Sequence, residues 1–100
     1  MRPLESDIER KLTRELKKLG ITSIKLRLLG DRGWPDRLIL LPGGRPLFLE
    51  LKRPGGKTSK QQEIKINLLH DLGYHVAISD NVDRAINYIR SQLETSNVKI

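Results

Sequence analysis

A carboxylate and an ammonium group two residues apart form the most informative feature of the sequence. Glu50 and Lys52 lie in residues 47–52, where leucines alternate with other residue types in the way of a β-strand. Because successive side chains of a strand point to opposite faces, Glu50 and Lys52 share one face. Charged groups inside an apolar sheet are costly to bury unless they are paired or bind a metal. Taken alone, the two residues are typical of an ordinary ion pair on a solvated strand face.

Asp36 changes this interpretation, because it precedes Glu50 across one tight turn at residues 42–44. If the turn has three residues, Leu41 pairs with Arg45, and Asp36 falls opposite Glu50 with Cβ atoms about 5 Å apart. Two carboxylates that close repel each other unless a cation lies between them, and hard oxygen ligands suit Mg²⁺ or Mn²⁺. A two-residue turn would instead place the two carboxylates on opposite faces of the sheet. The metal site therefore predicts a turn of odd length, or a bulge at Gly43 and Gly44.

The wider pattern consists of Gly-x-Pro-Asp at residues 33–36, a hairpin, Glu-x-Lys at residues 50–52, a basic loop and a glutamine, Gln62, early in the next helix. This combination resembles the VRR-NUC nucleases, a branch of the PD-(D/E)XK superfamily. The resemblance runs from about residue 5 to residue 79, and its combination of motifs is more specific than any one of them. It implies a restriction-endonuclease-like core and a metal-dependent nuclease activity.

The resemblance also implies roles for individual residues. Asp36 and Glu50 would be metal ligands, and the carbonyl oxygen of Leu51 would be a further ligand. Lys52 would orient or help to deprotonate the attacking water and would stabilise negative charge at phosphorus. Mg²⁺ would be the natural cofactor, with Mn²⁺ as a substitute.

A glutamate in the first helix is a further family feature, and Glu5 and Glu9 are both candidates for it. Glu9 is the preferred metal ligand and catalytic residue, because it lies beside the apolar stripe of the helix. A capping box with Ser6 is the alternative explanation of Glu9. Gln62 matches the family glutamine of the catalytic set, and a capping box with Ser59 explains it as well.

Positive charge dominates the chain, with 19 Lys and Arg against 12 Asp and Glu and a formal net charge of +7. Such a balance favours a polyanionic partner, usually nucleic acid. Six cationic residues in or beside the segments that frame the carboxylates are predicted to contact phosphates, with a solvated face as the alternative for each. They are Arg32, Arg37, Arg53, Lys57, Lys60 and Lys65.

Several classes of protein are disfavoured by the composition. The absence of cysteine excludes disulfides and cysteine-ligated zinc. No signal peptide or membrane-spanning run is found, so we expect a cytoplasmic protein with no membrane partner. The glycine-rich residues 54–58 lack Walker spacing, so no nucleotide cofactor is expected. The resemblance adds a bacterial host cell as the setting and a phage as a possible source of the gene.

Hydrophobic periodicity predicts one domain over residues 1–94 and a C-terminal tail over residues 95–100. The order α-β-β-β-α-β-α gives an α/β fold in which helices flank a mixed β-sheet. The predicted helices cover residues 6–19, 60–72 and 81–93, and the predicted strands cover residues 21–29, 36–41, 46–52 and 74–79. The second of these strands is nearly all apolar, as expected of a strand that is buried on both faces. The apolar stripes of the three helices are Ile8, Leu12, Leu16 and Leu19; Ile64, Leu68 and Leu72; and Val82, Ile86, Ile89 and Leu93.

The sequence therefore predicts a Mg²⁺-dependent DNA endonuclease. Stand-alone members of the resembled family are similar to Holliday-junction resolvases, which implies a homodimer that cuts branched DNA in replication, repair or recombination. The alternative is a non-catalytic nucleic-acid-binding module on the same scaffold. A third possibility is a basic structural protein that binds no nucleic acid.

Overall fold

A computed structural model describes residues 5–95, and side chains within it are described for residues 7–93. The observed order of elements is the predicted one, which confirms the α/β fold with a mixed sheet. The elements are α1 (Glu5–Lys18), β1 (Thr22–Lys25), β2 (Arg37–Leu41), β3 (Arg45–Leu51), α2 (Lys60–Asp71), β4 (His75–Ser79) and α3 (Val82–Thr95). Most of the predicted tail, from residue 96 onwards, lies outside the described residues. None of the described helices is long and apolar enough to cross a membrane.

The four strands form one sheet in the order β1-β2-β3-β4. The pairs β1/β2 and β2/β3 are antiparallel, whereas β3 and β4 are parallel. Parallel neighbours need a crossover connection, and α2 supplies it here. The sheet is therefore mixed, as the sequence predicted.

The hydrophobic core lies on one face of the sheet, beneath α1 and α3. The apolar stripes predicted for these two helices are confirmed, because their residues are buried or packed against the core. Alternate residues of the two central strands complete the core from the sheet side, as the strand period of two requires. These strand residues are Ile39, Leu41, Leu47, Leu49 and Leu51.

The first strand is shorter than predicted. It ends at Lys25, and only one further backbone bond, from the Leu26 N–H to the Asp36 carbonyl, extends its pairing with the next strand. Leu28 and Leu29, which were predicted to belong to the strand, lie on the surface. Beyond Leu26 the chain turns into a loop, so these leucines have no neighbouring strand to pair with.

Two predictions of burial are wrong. Leu40 of β2 is 43% exposed, so β2 is not buried on both faces. On α2 the predicted stripe of Ile64, Leu68 and Leu72 faces outward, and the buried residue of the helix is Leu69. A helix with apolar residues on two sides can pack against the rest of the fold through either side. Here α2 packs through the side that carries Gln62, Lys65 and Leu69.

Candidate active site

The hairpin of β2 and β3 has the register that brings two acidic residues face to face. Leu41 pairs with Arg45 and Arg37 pairs with Leu49, so the next position places Asp36 opposite Glu50. The turn has three residues, 42–44, which confirms the predicted odd length. Gly43 and Gly44 have φ of 81° and 69°, a backbone conformation that favours glycine.

Glu50 is the one charged residue that is buried among those the structure describes, with 1% of its surface exposed. Its Oε2 accepts a hydrogen bond from the Gln62 amide at 3.2 Å and lies 3.3 Å from the Lys52 ammonium. Its Oε1 is buried and has no hydrogen-bond partner among residues 7–93. A buried carboxylate oxygen without a partner is costly, so this atom is ready to accept an external donor or cation.

Burial raises the pKa of Glu50 from its ordinary value near 4.5 to about 7, and the negative charge of Asp36 acts in the same direction. The Lys52 ammonium lowers the pKa and offsets part of this rise. A divalent cation beside both carboxylates would remove their repulsion and favour the charged form. The donor set therefore fits a hard divalent metal ion better than it fits an isolated ion pair.

Gln62 connects α2 to the charged residues of β3. Its Oε1 accepts hydrogen bonds from the Lys52 ammonium at 2.7 Å and from the Ser59 backbone N–H at 2.9 Å, while its Nε2 donates to Glu50. The Ser59 hydroxyl accepts from the Gln62 backbone N–H and completes a capping box. The capping explanation of Gln62 and its place beside the charged pair are therefore both correct.

Glu9 lies apart from this cluster. Both of its carboxylate oxygens accept from the Lys25 ammonium, at 3.1 and 2.9 Å. Within residues 7–93, no three acidic, histidine or cysteine side chains are grouped closely enough to hold a metal ion. Because α1 begins at Glu5, Ser6 lies inside the helix and does not precede it as a capping residue. The role of Glu9 as a third ligand stays a prediction, and the side chain of Glu5 lies outside the described part.

The loop that precedes Asp36 is fastened to α2 by polar contacts. Asp31 accepts from the Trp34 indole N–H at 2.9 Å and lies 2.8 Å from the Lys65 ammonium, which also sits 5.1 Å from the centre of the Trp34 ring. The hydrogen bonds from Lys65 and Trp34 lower the pKa of Asp31. Lys65, predicted to contact phosphate, is thus engaged in holding this loop, which the sequence did not reveal.

Backbone packing fastens the same loop at a second point. Gly33 has φ of 98°, and a Cβ atom there would overlap the backbone carbonyl group of Gln61. Pro35, two residues after Gly33, is fully buried. The Gly-x-Pro-Asp motif therefore fixes the position of Asp36 relative to the first turn of α2, where Gln62 lies.

The other predicted phosphate contacts lie in two places. Arg32, Arg53, Lys57 and Lys60 are exposed on the loops and the helix start that surround the carboxylates. Arg37 points to the opposite face of the sheet from Asp36, as its position in the strand requires. It is half-buried beside α1, and its buried Nε has no hydrogen-bond partner.

Comparisons with known proteins identify a relative described as a nuclease and a solved structure with the same fold. No family model matches the sequence. The chain is 39% identical over 79 residues to "Putative nuclease p44" of Acyrthosiphon pisum secondary endosymbiont phage 1, covering 79% of this chain and 85% of that protein. A solved structure titled "VRR_NUC domain" has the same fold, with a TM-score of 0.76 and 23% identity over 87% of this chain and 94% of the other.

Proposed function

This chain belongs to the VRR-NUC family of nucleases, and on that premise we propose that it is a Mg²⁺-dependent DNA endonuclease. The observation that carries the proposal is Glu50, a buried carboxylate that faces Asp36 and keeps one oxygen without a hydrogen-bond partner in the described part of the chain. A buried carboxylate that faces a second acidic group destabilises a fold, so its presence at the end of a strand indicates a chemical task.

Asp36 and Glu50 are the proposed ligands of the metal ion, with the Leu51 carbonyl oxygen beside them. Mg²⁺ suits this set of oxygen donors, and Mn²⁺ accepts the same donors. Glu9 joins them only if it leaves its ion pair with Lys25. When bound, the ion lowers the pKa of water and stabilises the charge that develops on a phosphate in the transition state.

Lys52 supplies the second positive charge of the proposed reaction. The Lys52 ammonium group donates to Gln62 Oε1 at 2.7 Å and lies 3.3 Å from Glu50 Oε2. Little rearrangement is therefore needed before Lys52 donates to a phosphate oxygen or to the attacking water. Gln62 positions Lys52 and Glu50 together and is placed by the cap of α2. The exposed Arg32, Arg53, Lys57 and Lys60 are proposed to bind flanking phosphates without reading sequence.

The alternative, a binding module that has lost catalysis, fits the structure less well. A module that only binds a polyanion gains nothing from two carboxylates facing the phosphate, because they repel it. Here Asp36, Glu50 and Lys52 are retained together, and Gln62 links the last two. This retention favours the enzyme.

A cleavage assay separates these functions. The purified protein is incubated with a labelled four-way junction, and with linear duplexes of the same arm sequences, in Mg²⁺, in Mn²⁺ and in EDTA. We expect cleavage in both metals and none in EDTA, with the junction cut in preference to the duplex. Absence of cleavage in both metals would refute the enzyme, whereas equal cleavage of duplex and junction would refute only the preference for branched DNA.

A homodimer is also proposed, and the outward side of α2 supports it. Ile64, Leu68 and Leu72 are 61%, 44% and 65% exposed and follow one another at four-residue spacing. Two copies of such a stripe can pack antiparallel about a two-fold axis, which would present two active sites to the two strands of a branched substrate.

Light scattering on the wild-type protein is expected to give the dimer mass, and Leu68→Lys is expected to give the monomer mass because it buries a charge in the interface. Asn67→Lys is the matched control, since it adds the same charge to the neighbouring exposed position and leaves the stripe intact. A wild-type protein that is monomeric at all concentrations tested would contradict the dimer.

A further inference from the structure

A cleft of about 470 Å³ lies between α1 and the start of β2. Four cationic side chains line it, together with Glu9 and Thr13, and we call it the α1 cleft. The cations are Arg10, Arg14, Lys17 and Arg37. The cleft is separate from the carboxylate pair, because Arg37 and Asp36 point to opposite faces of the sheet.

The acidic groups near the α1 cleft do not balance its positive charge. Glu9 already binds Lys25, and Arg10 shares a long, exposed ion pair with Asp7 at 3.3 Å. Among the described ion pairs, none involves Arg14, Lys17 or Arg37. The cleft therefore has an excess of positive charge on an outer side of α1.

Helix stability does not explain this cluster. Arg10, Arg14 and Lys17 are spaced by four and three residues, so their like charges meet on one face and destabilise the helix. Lys17 lies in the last turn, where a cation interacts favourably with the helix dipole, but Arg10 and Arg14 do not. The cluster is therefore better explained by an external anion than by the helix itself.

Arg37 adds a guanidinium group to the α1 cleft from the side of the sheet. Its Nε is buried and has no hydrogen-bond partner among the described residues. A guanidinium group donates five hydrogen bonds in a fixed plane and binds phosphate oxygens in pairs. An anion in the α1 cleft would approach the same guanidinium group from its open side.

We propose that the α1 cleft binds the phosphate backbone of DNA that flanks the cleaved bond. This inference rests on the proposed function and adds a second contact surface to it. Arg37 follows Asp36 directly at the start of β2, so the cleft and the proposed metal site lie on opposite faces of the sheet at the same end of this strand, and the cleft continues along α1. The helix rises roughly 12 Å from Glu9 to Lys17, which matches about three to four nucleotides of one strand.

The test is the salt dependence of DNA binding by Arg14→Gln combined with Lys17→Gln. Binding of a labelled duplex is measured by fluorescence anisotropy in EDTA, so that the result does not depend on cleavage. Each lost phosphate contact lowers the slope of log K against log salt by about 0.9, so we expect a slope smaller by about 2. We also expect a higher KM for cleavage of the same duplex in Mg²⁺.

The matched control is Lys18→Gln combined with Arg90→Gln, which removes the same charge from exposed positions outside the cleft. We expect its salt slope to remain that of the wild type. Equal slopes for the two double variants, both folded by thermal melting, would overturn the inference. A wild-type protein that binds DNA with the steeper salt dependence but does not cleave it would refute the proposed function. The inference about the α1 cleft would then still stand.

Discussion

Replacement of Glu50 by glutamine is expected to abolish cleavage and, in the absence of metal, to stabilise the protein. Glutamine keeps the size of the side chain and its ability to bond to Gln62, but it removes the charge that attracts the metal ion. Loss of one charged group of this kind reduces turnover by roughly 10²–10³-fold or more. The measurement is the rate of junction cleavage in Mg²⁺.

The gain in stability follows from the raised pKa of Glu50. In the unfolded chain this carboxyl releases its proton near pH 4.5, whereas in the folded protein it does so near pH 7. Between these values the folded state binds the extra proton, so the free energy of unfolding of the wild type falls as the pH rises from 4.5 to 7. Above pH 7 the full free-energy cost of burying the charged carboxylate is present, and below pH 4.5 this cost is absent.

Glutamine at position 50 carries no such cost, and Lys52 keeps its hydrogen bond to Gln62. At pH 8 in EDTA the variant is therefore expected to exceed the wild type in stability by on the order of 2 kcal/mol, and at pH 4 the difference should vanish. Urea unfolding at pH 8 and at pH 4 measures the difference in stability between the variant and the wild type at each pH. Glu63→Gln is the control, because it makes the same change at an exposed position of α2.

Addition of Mg²⁺ should reverse the order, because a ligand that binds only the folded state raises the stability of the wild type and not that of the variant. A Glu50→Gln protein that cleaves at the wild-type rate would refute the ligand role. A variant less stable than the wild type at pH 8 in EDTA would refute the physical account of the buried carboxylate.

Replacement of Gly33 by alanine is expected to destabilise the fold and to impair the active site with it. The new Cβ would lie 2.5 Å from the carbonyl carbon of Gln61, in a backbone conformation that already disfavours a side chain. Both partners are backbone, so the loop or α2 has to move. We expect a loss of roughly 2–4 kcal/mol in the free energy of unfolding and slower cleavage, because Gln62 moves with α2.

Gly30→Ala measures the cost of the backbone strain without that of the close contact to Gln61. Gly30 belongs to the same loop and has φ of 77°, but a Cβ there would have no atom within 4 Å. Only the strain of a left-handed residue is then expected, about 1 kcal/mol. Urea unfolding of the two variants gives the difference between their losses in the free energy of unfolding. Equal losses would show that the close approach of Gly33 to Gln61 does not contribute to the effect.

The hairpin could be predicted from the sequence because its rules are strict. Side chains alternate with a period of two, so the turn length alone decided whether Asp36 faces Glu50. The second role of Gln62 was also within reach, since one side chain satisfies a capping box and the charged pair together. Leu29 shows the opposite case, because its apolar character indicated a strand that has no partner strand there.

Three features could be found only from the tertiary structure. Periodicity found an apolar stripe on α2, but the helix carries apolar residues on two sides, and only packing decides that Leu69 is buried while Leu68 is not. The ion pair between Glu9 and Lys25 joins residues of different elements, and no local pattern predicts it. The interaction of Lys65 with Asp31 has the same origin, since a loop folds back onto a helix.

The proposed role of Asp36 and Glu50 together is to hold the cation with which this nuclease cuts DNA. Its most direct test is the conversion of supercoiled plasmid to nicked and linear forms by Asp36→Asn in Mg²⁺, beside the wild type and Asp71→Asn, an exposed position at the end of α2. We predict cleavage by the wild type and by Asp71→Asn, none by Asp36→Asn, and none by any of them in EDTA. Cleavage by folded Asp36→Asn at the wild-type rate would contradict this proposed role.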